Sequence, residues 1–158
     1  MRKISILSVV LALACGVAMG QRGRGRGAPP PPPPAPMMDL ANKVVDAVNK
    51  QDTMALQKLV TADAVYLDED GHQPPVSAWI MRLTTGTPAK KMEVTGIRGQ
   101  MWDDGGWFSF NYTLSENFKE KPVMIKGTAS FVVKKNGPDW QITMVHGALE
   151  QHIAGMTQ

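Results

Sequence analysis

The chain has 158 residues, 17 of them lysine or arginine against 14 acidic ones, and one cysteine. That length suits one domain with a single core, and one cysteine excludes an intrachain disulfide. Five of the basic residues precede Asp39, whereas every acidic residue lies from Asp39 onward; that larger part carries a net charge of −2, which excludes a global cationic field for nucleic acid.

Residues 1–20 read as a secretory signal peptide. Arg2 and Lys3 give a basic start, Ile4 to Ala14 is a short apolar run, and Ala18-Met19-Gly20 offers small residues at a cleavage site before Gln21. The run falls short of the about 20 apolar residues of a spanning helix, so no transmembrane segment is expected in the mature chain. The protein is therefore expected to be exported, periplasmic or released. The alternative is a lipid anchor on Cys15, against which stands Ala12, where that signal has leucine.

Residues 21–38 read as a disordered tether. Gln21 to Gly27 alternates arginine and glycine and has nothing apolar to bury. Pro29 to Pro34 is an unbroken run of six prolines, a stiff spacer extending roughly 20 Å in the polyproline II form. RNA binding by the Arg-Gly stretch and recognition of the prolines by a partner are the functional readings; the spacer is preferred, because an exported chain rarely meets RNA.

A helical domain start is expected at Asp39, with Leu40, Ala41, Val44, Val45 and Val48 on one face. Asp52 suits the N-cap of a short second helix carrying Ala55, Leu56, Leu59 and Val60. Ala64 to Leu67 reads as a short strand and Asp68-Glu-Asp-Gly71 as its turn. Pro74-Pro75 can open a third helix, in which Val76, Trp79, Ile80 and Leu83 form one stripe.

From Lys90 the period changes to that of strands, over 91–102, 106–114, 123–135 and 139–149. Asp103 to Gly106 and Lys135 to Asp139 are hairpin turns, and a longer loop is expected near Glu116–Pro122. Phe108, Phe110, Tyr112 and Leu114 alternate with polar residues, as do Ile125, Ala129, Phe131 and Val133. The expected fold class is α+β, with N-terminal helices packed on one face of an antiparallel meander.

Three stretches carry a family resemblance. Asp52-Thr-Met-Ala-Leu-Gln-Lys-Leu-Val60, then Ala62-Asp-Ala-Val-Tyr66, then the closing hairpin from Gly127-Thr-Ala-Ser-Phe-Val-Val133 to Trp140-Gln-Ile-Thr-Met-Val-His146, resemble the SnoaL-like branch of the nuclear-transport-factor-2-like superfamily. The resemblance spans about Asp39 to His152, within a domain taken as 39–158. It implies a cone in which a curved sheet wraps a long helix around an apolar pocket. The superfamily includes ketosteroid isomerase, polyketide cyclases, dehydratases and non-catalytic assembly domains, so fold alone selects no activity.

His146 is the candidate catalytic residue. Strict alternation puts Trp140, Ile142, Met144, His146 and Ala148 on one face, and on the pocket side an imidazole could act as general base or orient a ligand. The competing reading is a half-buried histidine used for packing or facing a subunit partner. An apolar cavity is expected between the third helix and the sheet, touched by Tyr66, Trp79, Phe110 and His146. Tyr66 beside a carboxyl could stabilise an enolate, but no Tyr–Asp–Asp set is evident. The aromatics Trp79, Trp102, Trp107 and Trp140 serve equally as core.

Asp68, Asp70 and His72 lack the rest of a calcium loop or a zinc site and read as a solvated turn, so no metal is expected. Ser77, Ser109 and Ser130 sit in no nucleophile motif, and nothing calls for a cofactor. Asn111-Tyr-Thr113 matches a glycosylation triplet that would be silent in a bacterial exported protein. The sheet face away from the helices, with Trp107, Ser109, Thr113, Thr143, Val145 and Leu149, is expected to pair two copies as a homodimer. The preferred reading is an exported non-catalytic domain that binds a small apolar ligand, assembles as a dimer, or both. The alternatives are an isomerase, cyclase or dehydratase using His146, and an envelope protein-interaction module.

Overall fold

A computed structural model describes residues 32–86, 90–119 and 121–153. The expected leader and residues 21–31 of the expected tether lie outside the described residues.

Helix α1 spans Ala35–Asn49, with Pro34 at its N-cap and Pro36 in the first turn, where the missing N–H costs nothing. It starts four residues before the expected Asp39. Met37 extends the apolar stripe back by one turn and is 1% exposed, followed by buried Leu40, Ala41, Val44, Ala47 and Val48. Residues 35–38 therefore belong to the domain and not to a tether. Asp52 caps α2 (Thr53–Lys58): its Oδ1 accepts from Ala55 N–H at 2.8 Å. Only Leu56 of this short helix is buried, and Val60, expected in the helix, opens strand β1 (Val60–Leu67). Helix α3, Val76–Thr84, follows Pro75 and buries Trp79, Ile80 and Leu83 as the stripe predicts.

Strands β2 (Lys91–Met101), β3 (Gly105–Phe118), β4 (Lys121–Asn136) and β5 (Asp139–Ile153) form the meander. The loop expected at 116–122 is absent: β3 and β4 stay paired up to Phe118 and Lys121. Lys119 takes φ 49°, the left-handed conformation that two-residue hairpin turns require. The class is α+β, as expected, with one addition. Strand β1 joins the sheet beside β5 and parallel to it, giving the order β1-β5-β4-β3-β2. At the opposite edge the Asn49 side chain acts as a fragment of a sixth strand. Its Nδ2 donates to Met92 O at 3.1 Å and its Oδ1 accepts from Met92 N–H at 2.6 Å.

The helices cover one sheet face over a core centred on Phe131. Its ring stacks on Phe108 with centroids 4.6 Å apart, and Phe110 and Trp79 lie at 5.1 and 6.2 Å. Beyond Ile142 the alternation of β5 reverses. Val133 pairs with Ile142 but Val132 with Met144, so Thr143 is one residue too many for β4. From there Val145 and Gly147 oppose Phe131 and Ala129 on the helix side, while Met144 and His146 oppose Val132 and Ser130 on the outer side. Val145, expected on the outer face, is completely buried.

Candidate functional site

A cavity of about 40 Å³ lies between α1, α3 and the covered sheet face. Its walls are apolar: Val44 from α1, Trp79 and Leu83 from α3, and Phe110, Ala129 and Phe131 from the sheet. Its polar groups are Tyr66 from β1, Glu69 from the turn after β1, Arg82 from α3 and Tyr112 from β3. Three of the four residues expected to touch the cavity are brought together here: Tyr66, Trp79 and Phe110. His146 is not. The Thr143 bulge turns it to the outer face, and Gly147 lines the cavity in its place. This removes the geometric basis for His146 as an acid–base residue of the cavity.

The polar groups form one cluster. Arg82 Nη1 lies 2.7 Å from Glu69 Oε1 and donates to Tyr66 Oη at 3.4 Å. Burial works against the Arg82 charge, but Glu69 and then Tyr66 outweigh it and hold its pKa above the ordinary value. Burial raises the pKa of Tyr66, and Glu69 adds to the rise. Tyr112 is raised for the same first reason, with Arg82 acting against it. Both phenols are thus neutral O–H donors at pH 7.

Gly127 positions Tyr112. The two residues are register partners, and a Cβ on Gly127 would stand 2.7 Å from Tyr112 Oη. The phenol occupies the room that a side chain at 127 would take. Gly147 differs: a Cβ there would meet, among the described residues beyond its chain neighbours, only Glu69 Oε1, at 4.0 Å.

Glu69, Arg82 and Tyr112 were not anticipated. Glu69 stood inside an acidic stretch that reads as a turn, and Arg82 flanked the apolar stripe of α3. The available signal was that Arg82 follows Trp79 by three residues, which sets a cation beside a core aromatic on one helix face. The turn itself is as expected. Asp68 Oδ1 accepts from Asp70 N–H at 3.1 Å and His72 N–H at 2.7 Å, and no group of three or more possible metal ligands occurs among the described residues. Among them also, no helix is long and apolar enough to cross a membrane.

No family model matches the sequence, and no curated protein is detectably similar to it. Solved structures match in fold. A protein described as NTF2-like, of unknown function in nutrient uptake, from Rhodospirillum rubrum has TM-score 0.62 at 12% identity, over 73% of this chain and 98% of its own. A type 2 hexachlorocyclohexane dehydrochlorinase, LinA, has TM-score 0.62 at 15% identity, over 77% and 89%. The CaMKII hub of S. rosetta has TM-score 0.61 at 12% identity, over 76% and 98%. Such identities carry the fold and leave activity open. Helices packed on one face of a five-stranded sheet, matched over nearly the whole length of these proteins, show that the chain folds as a nuclear-transport-factor-2-like domain.

Proposed function

We propose that the protein is an exported binding domain that takes a small, largely apolar molecule into the cavity beneath α3. The carrying observation is the division of that cavity. Aromatic and aliphatic side chains form its walls, and Tyr66, Tyr112, Arg82 and Glu69 gather as its polar groups. This is the composition of a small-molecule site: apolar walls supply affinity and a few polar groups fix orientation. The basic start, apolar run and Ala18-x-Gly20 site of the leader support export. The test fills the cavity from within. Ala129→Leu adds three carbons to the cavity wall. Native mass spectrometry of the wild-type protein, purified from its extracytoplasmic fraction, should reveal a bound small molecule that the variant lacks. A wild-type protein free of ligand, with neither protein binding benzene, would overturn the reading.

One observation favours a second reading, dimeric assembly. Val65, Met144, Val132 and Trp107 are register neighbours across four strands on the uncovered sheet face. Val65 is 41% and Trp107 42% exposed, a continuous apolar row of the kind that marks interfaces. Light scattering at micromolar concentration should give twice the chain mass, and Val132→Lys should restore the monomer. A wild-type monomer would end this reading and leave the cavity untouched.

A further inference from the structure

We infer that the ligand of the cavity is a small apolar monocarboxylate, received by Arg82, and that Glu69 is its built-in competitor. The inference rests on the binding reading above.

The polar groups of the cavity offer a surplus of donors. Arg82 spends Nη1 on Glu69 and Tyr66. Its Nε and Nη2 donors have no partner among the described residues, and these two form the planar fork that grips a carboxylate in two places. Tyr66 accepts from Arg82 through its oxygen, so its own proton is free to donate. Tyr112 adds a second neutral phenol. Among the described residues Glu69 is the only acceptor of full charge in the cavity wall, and it is already committed to Arg82.

Glu69 marks where a ligand carboxylate would sit. Its side chain is 19% exposed against 42% for Arg82, so the acid is the more enclosed of the pair. An enclosed carboxylate is costly away from its cation. The cation stands on a helix fixed by buried Trp79, Ile80 and Leu83. The acid stands on the turn beyond β1, and Arg82 is the one partner of its side chain among the described residues. Glu69 can therefore swing into water while Arg82 stays. The side chain missing at Gly147 leaves space beside the vacated position. A ligand with an apolar body would fill the walls and exchange its carboxylate for that of Glu69.

The test uses the full chain with benzoate and benzamide, matched in size and differing in charge. Titration calorimetry at pH 7 should show the wild type binding benzoate about tenfold tighter, the equivalent of one charge-assisted hydrogen bond. Glu69→Gln removes the competitor and should strengthen benzoate binding by about tenfold while leaving benzamide within about twofold. Arg82→Gln should abolish the preference, and Arg82→Lys, which keeps the charge and loses the fork, should restore part of it. Thermal melts check that each variant folds, and Glu69→Gln, on a turn, decides the matter if the arginine variants do not. Benzamide binding as tightly as benzoate, or benzoate affinity unmoved by Glu69→Gln, would overturn the inference and leave the cavity reading standing. Binding of neither compound, with no benzene uptake, would overturn both.

Discussion

Thr143 donates its hydroxyl to Val132 O at 3.2 Å, at the point where β5 carries one residue more than β4. The bulge and this hydrogen bond decide which side of the sheet the end of β5 presents. Val145 and Gly147 face the helices, and His146 faces away. Replacing His146 with alanine should therefore leave benzoate affinity unchanged and shift stability by no more than about 0.5 kcal/mol. Thr143→Val should cost about 0.5–1.5 kcal/mol, the worth of the lost hydrogen bond. Denaturant unfolding and calorimetry on both variants check this. A His146→Ala protein that folds but no longer binds would return the histidine to the site.

Met37 is 1% exposed, among the most buried side chains of α1, although it sits close to a run of prolines. Truncating the chain to begin at Asp39 removes Met37 together with the first turn of the helix. The shortened protein should be less stable by at least the cost of a buried methionine, about 2–5 kcal/mol. The point substitution Met37→Ala should reproduce most of that loss. A truncated chain as stable as the full one in urea would show that this turn contributes nothing.

Much of the architecture was legible because periodicity reports burial. The stripes of α1 and α3 and the alternation through Phe108, Phe110, Phe131 and Val133 match the buried set. What failed was single-residue register. An extra residue in a strand has no sequence signature when Thr143 is as β-prone as its neighbours, and one such residue moved His146 across the sheet. The parallel pairing of β1 with β5 links residues about eighty positions apart, and no local pattern encodes it. The polar groups of the cavity fell to the same limit. Glu69 and Arg82 meet only because the turn after β1 and α3 face each other. Lys90 shows it again. It reads as an ordinary loop cation, yet its Nζ is enclosed, donates to Arg82 O and Thr85 O at 2.7 Å each, and pairs with Glu116 at 3.2 Å.

Gly127 is the residue on which the geometry of Tyr112 depends. A methyl group at 127 would lie 2.5 Å from Ala148 O and 2.7 Å from Tyr112 Oη. The strand carbonyl cannot yield without loss of pairing, so both backbone and phenol must shift. Gly127→Ala should destabilise the domain by about 1–3 kcal/mol, as overpacking does. It should also move the Tyr112 ring resonances in an NMR spectrum. In the background Tyr112→Phe, which removes the crowded hydroxyl, the cost of Gly127→Ala should fall. Equal costs in the two backgrounds would show that the backbone contact alone matters.

Asp68 gives the turn before α3 a dependence on pH. Burial opposes its charge, but the N–H groups of His72 and Asp70 outweigh that and hold its pKa below the ordinary carboxylate value. A depressed folded pKa means that the folded state binds the proton less readily than the unfolded chain does. The stabilisation is therefore complete above the unfolded pKa of about 3.9 and is lost as pH falls through the lower folded value. Asp68→Asn keeps an acceptor oxygen for the same N–H groups and removes only the charge. The urea midpoint of the variant should lie below that of the wild type by a constant amount above about pH 5. The gap should narrow below about pH 4 and close once the wild-type carboxyl is protonated in both states. A gap that stays constant down to the acid limit would show that the aspartate acts through its shape and hydrogen bonds, with no contribution from its charge.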